Sequence, residues 1–289
     1  MIDIRWWRRR LAPLVPEFLK GPVRGRLYGF GPSHSHLDVR IESQGDAFAV
    51  RIAGLPELRV PASMRGDLDF HLLTNGESID EIANLLALAL EPGGLLFDVG
   101  GHVGLLAELF CLAAPGNRAV SYEPSPVLRA KAAQLRALNG LESRITLCPS
   151  AIGDAPGRVP GYVDPGGFIG FGDAPPGLPA QEVAFTTIDA ECERLGVVPT
   201  VVKIDIEGFE DRALAGAQRL LAEHRPALLL EFHLDLLEKR GVRVGTLVKV
   251  LERHGYRFFH ATGRPMAGAD IARSPAAVLR FMARALGGA

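Results

Sequence analysis

A chain of 289 residues, 47% hydrophobic and 22% charged, can bury one large core, or one core plus an appendage. Its formal net charge of −1 excludes a global field suited to nucleic acid or to an anionic membrane surface. The three widely spaced cysteines (Cys111, Cys148 and Cys192) exclude a disulfide framework or a zinc pattern, and no uncharged apolar run reaches membrane-spanning length.

Residues 1–26 carry seven Arg/Lys together with Trp6 and Trp7. They read as a helical arm packing Trp6, Leu11, Leu14 and Phe18 on the body, and Pro13, Pro16 and Glu17 interrupt any signal-peptide core. Reduced thiols without a leader lead to an expected cytoplasmic location. Ser33-His34-Ser35-His36 has a His-x-His look but sits among Gly and Pro without acids or cysteines, so it reads as loop. Alternation from Leu37 to Val60 predicts two antiparallel strands turning at Ser43-Gln44-Gly45-Asp46. Glu77–Leu90 is a predicted helix, stopped by Pro92-Gly93-Gly94. Residues 1–74 are thus expected as an arm and β-hairpin extension, and 75–289 as an α/β domain.

That domain is organised around Leu95–Leu106. A short apolar run suits a buried parallel strand, and Asp98-Val99-Gly100-Gly101-His102-Val103-Gly104 is a glycine-rich turn entering a helix to about Ala114. Gly100, Gly101 and Gly104 are expected to let a ligand approach the backbone at a helix N-terminus. The spacing is G-G-x-x-G and fails the dinucleotide fingerprint. A carboxylate beside two phosphates would repel them, whereas Asp98 suits a cofactor that carries positive charge, such as S-adenosylmethionine.

A second strand, Ala119–Glu123, ends in an acid 25 positions after Asp98, close to the spacing of a ribose-binding carboxylate. Pro124-Ser125-Pro126 starts a helix through Leu138. Ile145–Leu147 is a third strand, and Ser150 and Ala151 after it are expected beside an adenine. Residues 153–180 hold eight Gly and six Pro, which forbids a helix and predicts a long loop or twisted hairpin around Phe168–Phe171, read as a substrate flap. A short helix over Thr187–Leu195 leads to a fourth strand, Thr200–Ile206, whose period of two puts Lys203, Asp205 and Glu207 on one side. Glu210–Glu223 reads as one helix whose acidic start suits its dipole. A fifth strand ends in Glu231-Phe232-His233; helix Leu247–His254 and strand Tyr256–His260 follow. Ala276–Leu286 fits strand or helix.

Four blocks now stand in order: Phe97–Gly104, Tyr122–Pro126, Lys203-Ile204-Asp205-Ile206-Glu207-Gly208-Phe209-Glu210, and Leu230–His233. Together they resemble the FkbM-type methyltransferase family over roughly residues 75–260, with Gly101 and His102 standing where that family's loop usually reads alanine and asparagine. The resemblance implies a Rossmann-like class I methyltransferase sheet, mostly parallel with helices on both faces. It also implies S-adenosyl-L-methionine as cofactor and O-methylation of a sugar or secondary metabolite. The cofactor set is Asp98, Gly100, Gly101, His102, Gly104, Glu123, Pro124, Ser125, Ser150, Ala151 and Asp205.

An alcohol needs a base before it attacks a methyl carbon. Strand ends four and five supply Asp205, Glu207, Glu231 and His233, and Asp205 with His233 is the expected pair, able to share a proton near neutral pH. The alternative for His233 is a helix-start cap. Lys203, in a central strand, needs a counter-charge and is read chiefly as the ion-pair partner of Asp205. The catalytic set is Asp205, His233, Lys203 and Glu231. These side chains offer ligands for a divalent metal, but no metal is the favoured expectation. The expected partner is a small-molecule or glycan hydroxyl acceptor, with no nucleic acid and no membrane span; a homodimer is left open. Alternatives are an NAD(P)-dependent oxidoreductase and a non-catalytic, cofactor-binding member.

Overall fold

Alternation in the early chain does form antiparallel strands. In the computed structural model, residues 39–52, 54–72, 76–260 and 263–285 are described; the basic arm and Ser33–His36 lie outside them. Strands β1 (Val39–Gln44), β2 (Ala47–Ile52) and β3 (Leu58–Pro61) make a small sheet in that order. The turn falls at Gly45 and Asp46, with Gly45 at φ +66°. Helices α1 (Arg65–Leu72) and α2 (Gly76–Leu88) follow. Ile82, Leu85 and Leu86 of α2 join Val50, Leu58 and Leu68 in a core shared with Leu106, Leu109 and Phe110, which ties the extension to the main domain.

The main sheet starts with β4 (Leu95–Val99), fully buried as its apolar run requires, then α3 (Leu105–Ala113), β5 (Arg118–Tyr122), α4 (Pro126–Leu138) and β6 (Ile145–Cys148). The Gly/Pro segment becomes a second sheet. β7 (Ala151–Ile152), β8 (Gly157–Val163), β9 (Ile169–Phe171) and β10 (Ala180–Thr186) lie in the order β7-β10-β8-β9. This is more regular than a loop, since β8 and β9 form the hairpin and β10 pairs with β8 over six residue pairs.

The chain then returns to the main sheet with α5 (Ile188–Leu195), β11 (Val201–Ile204), α6 (Glu210–Ala215), α7 (Gln218–Glu223) and β12 (Ala227–His233). Helix α8 (Leu234–Lys239), α9 (Val244–Arg253), β13 (Tyr256–His260), β14 (Pro265–Met266), α10 (Gly268–Ala272) and β15 (Val278–Ala285) complete it. The strand order is β14-β13-β15-β12-β11-β4-β5-β6. Pairs among β6, β5, β4, β11 and β12 are parallel, while β15 runs antiparallel to both its neighbours. This is a Rossmann-like sheet with the mostly parallel arrangement expected from the sequence. From β4 the chain winds outward to β6, then restarts on the other side at β11, so a crevice opens beyond the carboxyl ends of β4 and β11.

Two expected elements are corrected. The helix expected over Glu210–Glu223 is two helices: the Asp189 N–H donates to the Gly216 carbonyl and the Asp189 carboxylate accepts the Arg219 and Leu220 N–H groups at 2.8 and 2.9 Å, and a Cβ at Gly216 would lie 2.1 Å from the Gly153 carbonyl oxygen. The fourth strand stops at Ile204, not Ile206, and the chain turns at Glu207, which has φ +52°. The ambiguous C-terminus is strand β15, with Phe281, Met282 and Ala283 buried between β12 and β13.

Candidate active site

Two turns face each other at the crevice, one after β4 and one after β11, and each holds a non-glycine residue in the left-handed region: His102 at φ +50° and Glu207 at φ +52°. Such residues are sparse and gather where surrounding structure over-determines the backbone. The glycines of the first turn serve the protein's own packing. A Cβ at Gly100 would lie 1.8 Å from the Asp205 carbonyl oxygen, and one at Gly101 1.8 Å from Ser121 Oγ. This corrects the expectation that a ligand needs the space: the adjacent turn and strand already fill it. Gly104, at φ +80°, is the left-handed residue that opens α3.

Asp98 lies beneath this turn, fully buried, rather than at the mouth of the crevice. Ser121 Oγ donates to its Oδ2 at 3.3 Å, its Oδ1 has no hydrogen bond, and Lys203 Nζ stands 3.7 Å from Oδ1. Lys203 also donates to the Gly100 carbonyl at 2.6 Å and pairs with Asp205 Oδ2 at 3.3 Å. Burial pulls the Lys203 ammonium towards neutrality, but Asp205, Asp98, Glu81 and Glu231 outweigh it and hold it protonated. Lys203 thus clamps the two turns together and is the ion-pair partner of Asp205.

Glu123 directly follows β5, one residue beyond the strand's end and not within it as expected. Its Oε1 accepts the Ser125 N–H at 2.8 Å and its Oε2 the His102 N–H at 3.0 Å, so one buried carboxylate joins two turns. Burial pushes it up to about 7 against those two bonds. The Glu123 N–H donates to the Cys148 carbonyl at 3.1 Å, which brings the segment holding Ser150 and Ala151 alongside. Half-buried Pro124 gives its carbonyl to Arg129 at 2.8 Å. Ser125 caps α4 and donates to the Gly167 carbonyl, fastening the second sheet to this corner. The second sheet also reaches the crevice through its rings. Phe168 stacks on His102 with centroids 5.4 Å apart, and Phe171 meets Phe209 at 5.0 Å. Burial lowers His102 to about 4, so it is a neutral ring at physiological pH.

The strand ends β11 and β12 hold the acids. Asp205, Glu231 and His233 offer donor atoms that all lie within 4.8 Å of one another. His233 Nδ1 bonds Glu210 Oε1 at 2.9 Å, while Nε2 faces Glu207 at 3.2 Å and Glu231 at 3.7 Å. It precedes α8 without making a capping bond, so the helix-cap alternative falls. Burial pulls the imidazole down, but the Glu210 bond and the charges of Glu207, Glu210 and Asp205 push it up to about 9. The surrounding carboxylates thus favour the charged form of the ring. For Asp205, burial is outweighed by Lys203 and His233, and its carboxyl is held below the usual range. Arg280 of β15 clamps Glu231 through Nε at 2.6 Å and Nη2 at 2.7 Å.

Sequence reasoning missed three members of this cluster. Glu210, assigned to the helix dipole, is fully buried and also accepts the Gly208 N–H at 2.9 Å. Glu81 of α2 is buried near Lys203, Asp205, Glu231 and Arg280, and burial raises it to about 8. Arg280 lay in the ambiguous C-terminal segment. Only Glu210 carried a local signal, an acid inside the most specific block of the chain.

A family model described as the methyltransferase FkbM domain matches residues 98–258. No curated protein matches the sequence. Among solved structures, a methyltransferase FkbM from Methylobacillus flagellatus KT is 18% identical, covering 76% of this chain and 57% of its own, with a TM-score of 0.44. The chain therefore spans little over half of that protein's length. A SAM-dependent methyltransferase from Agrobacterium tumefaciens is 12% identical over 84% of this chain and 71% of that one, with a TM-score of 0.45. A TehB-like SAM-dependent methyltransferase from Corynebacterium glutamicum ATCC 13032 Kitasato is 12% identical over 78% and 96%, with a TM-score of 0.40.

Proposed function

The chain belongs to the FkbM family of S-adenosylmethionine-dependent methyltransferases, and from that premise we propose that it methylates a hydroxyl group on a small molecule or glycan. The observation that carries this reading is the cluster of Asp205, Glu231 and His233, whose donor atoms lie within 4.8 Å of one another at the crevice. An amine or thiolate attacks a methyl carbon unaided, whereas an alcohol needs its proton removed as the bond forms.

The residues at hand fit the cofactor. Glu123, buried at the end of β5, still has lone pairs for the two hydroxyls of a ribose. The carboxylates around the crevice match the net positive charge of the methyl donor, and Asp98 contributes from beneath through its field. When bound, S-adenosylmethionine supplies a methyl carbon on a cationic sulfur that leaves with the C–S electron pair as a neutral thioether. Asp205, ionised and part-exposed, takes the hydroxyl proton as the new O–C bond forms. His233, its ring held by Glu210, stands in the same cluster and positions the acceptor oxygen. Phe168 and Phe171 reach the two turns of the crevice from the second sheet, against His102 and Phe209, where they can meet the acceptor.

Titration calorimetry with S-adenosylhomocysteine and with NAD tests the cofactor, and mass spectrometry of hydroxyl, amine and thiol acceptors tests the atom. Binding of S-adenosylhomocysteine alone and a gain of one methyl on hydroxyl compounds is the expected result. Tight binding of NAD alone, or methylation confined to amines or thiols, overturns the reading.

A further inference from the structure

We infer that Asp205, Glu231 and His233 form a binding site for one divalent cation of the magnesium or manganese kind. The three ligand atoms come from two strand ends, β11 and β12, and lie within 4.8 Å of one another, close enough to share one ion. His233 is oriented as a metal-binding histidine is: Nδ1 is fixed by the fully buried Glu210 carboxylate at 2.9 Å, which leaves Nε2 directed at Glu207 and Glu231, and an ion binding there displaces the Nε2 proton. That second carboxylate fixes ring orientation and raises ligand basicity.

A separate element points to the same place. Glu81, on α2 of the extension, is more than nine-tenths buried, makes no hydrogen bond or ion pair among the described residues, and has Lys203, Asp205, Glu231 and Arg280 as its charged neighbours. Lys203 holds Asp205 at 3.3 Å and Arg280 holds Glu231 at 2.6 Å, which fixes the two carboxylates in place. Two carboxylates and one imidazole, with no thiolate, are a donor set for a hard ion.

The site's role rests on the hydroxyl-transfer reading, because an ion here would make the acceptor hydroxyl more acidic; its existence does not. The test therefore uses neither methyl donor nor acceptor. Manganese(II) chloride is titrated into the full chain and followed by electron paramagnetic resonance and calorimetry. One ion per chain is expected, with affinity lowered about tenfold or more in Asp205→Asn and in His233→Gln. Circular dichroism and the urea unfolding midpoint identify a variant that has merely unfolded, and the near-isosteric, part-exposed Asp205→Asn decides the matter if His233→Gln does not fold. No manganese binding, or binding unchanged in a folded Asp205→Asn, overturns the site. Binding of manganese by a chain that fails to methylate hydroxyls overturns the function proposed above and leaves the site standing.

Discussion

At the scale of single residues, Glu123 makes the sharpest prediction. Burial raises it to about 7, so in the folded chain the proton stays on until near neutrality. For a carboxylate raised above its unfolded value the fold favours the protonated form, and the stability this gives is present at low pH and lost as pH rises through about 7. Cofactor binding runs the opposite way, because ribose hydroxyls donate best to the ionised form. Calorimetry should therefore show S-adenosylhomocysteine binding more tightly at about pH 8 than at about pH 6, with Glu123→Gln weaker throughout and flat with pH. Glu123 was legible because its position depends on local order along the chain: a strand, a turn and the next strand. The pairing of Lys203 with Asp205 was legible for the same reason, as two steps along one strand place them on one side. Glu81 and Arg280 were not, since each gains its role only when α2 or β15 folds over the crevice from far along the chain.

Among elements, the second sheet departs furthest from its sequence. Gly and Pro forbid helix, which was readable, but the partner strand β10 begins at Ala180, where the Gly/Pro-rich run ends, and local pattern did not reveal that it turns back along β8. The glycines allow close packing within the sheet: a Cβ at Gly170 would strike the Tyr162 ring at 2.2 Å. Phe168 is 45% exposed and Phe171 37% exposed, so neither contributes much to the core. Replacing Phe168 and Phe171 together by alanine should leave the melting temperature nearly unchanged while raising KM for the acceptor more than it lowers kcat, measured by steady-state methyl transfer. A fall in melting temperature with KM unaltered would show that the rings are structural. The broken helix after β11 teaches a similar lesson. Its apolar spacing runs on through Gly216, but Asp189 from a distant helix donates its N–H to the Gly216 carbonyl and accepts the Arg219 and Leu220 N–H groups, which starts a new helix there.

For the molecule as a whole, the main sheet is two halves meeting at β4 and β11, and Lys203 is the cation that joins them where the winding reverses. Removing one partner of a buried ion pair costs about 3–5 kcal/mol, because the remaining charge is stranded. Lys203→Met should destabilise the chain by about that much in urea unfolding, and adding Asp98→Asn to it should recover part of the loss. An unchanged midpoint for Lys203→Met would show that the pair is not what secures the reversal. The strand order and the position of the crevice were largely readable, since parallel strands separated by helices admit few arrangements. The end of the sheet was not: β15 slips between β12 and β13, and its alternation of arginine and apolar residues fits more than one structure.

Helix α6 has only six residues, fewer than two turns, yet its two ends are fixed to different parts of the protein. Glu210 at its start grips the imidazole of His233, and Gly216 just past its end bears on the carbonyl of Gly153 at the root of the flap. That root is pinned again where the Gly153 N–H meets the Thr186 carbonyl at 2.9 Å. The second sheet is therefore held at both ends, at its root by Gly153 and at its tip where Ser125 meets the Gly167 carbonyl. The carboxylate that orients His233 and the root of that sheet thus share one short element.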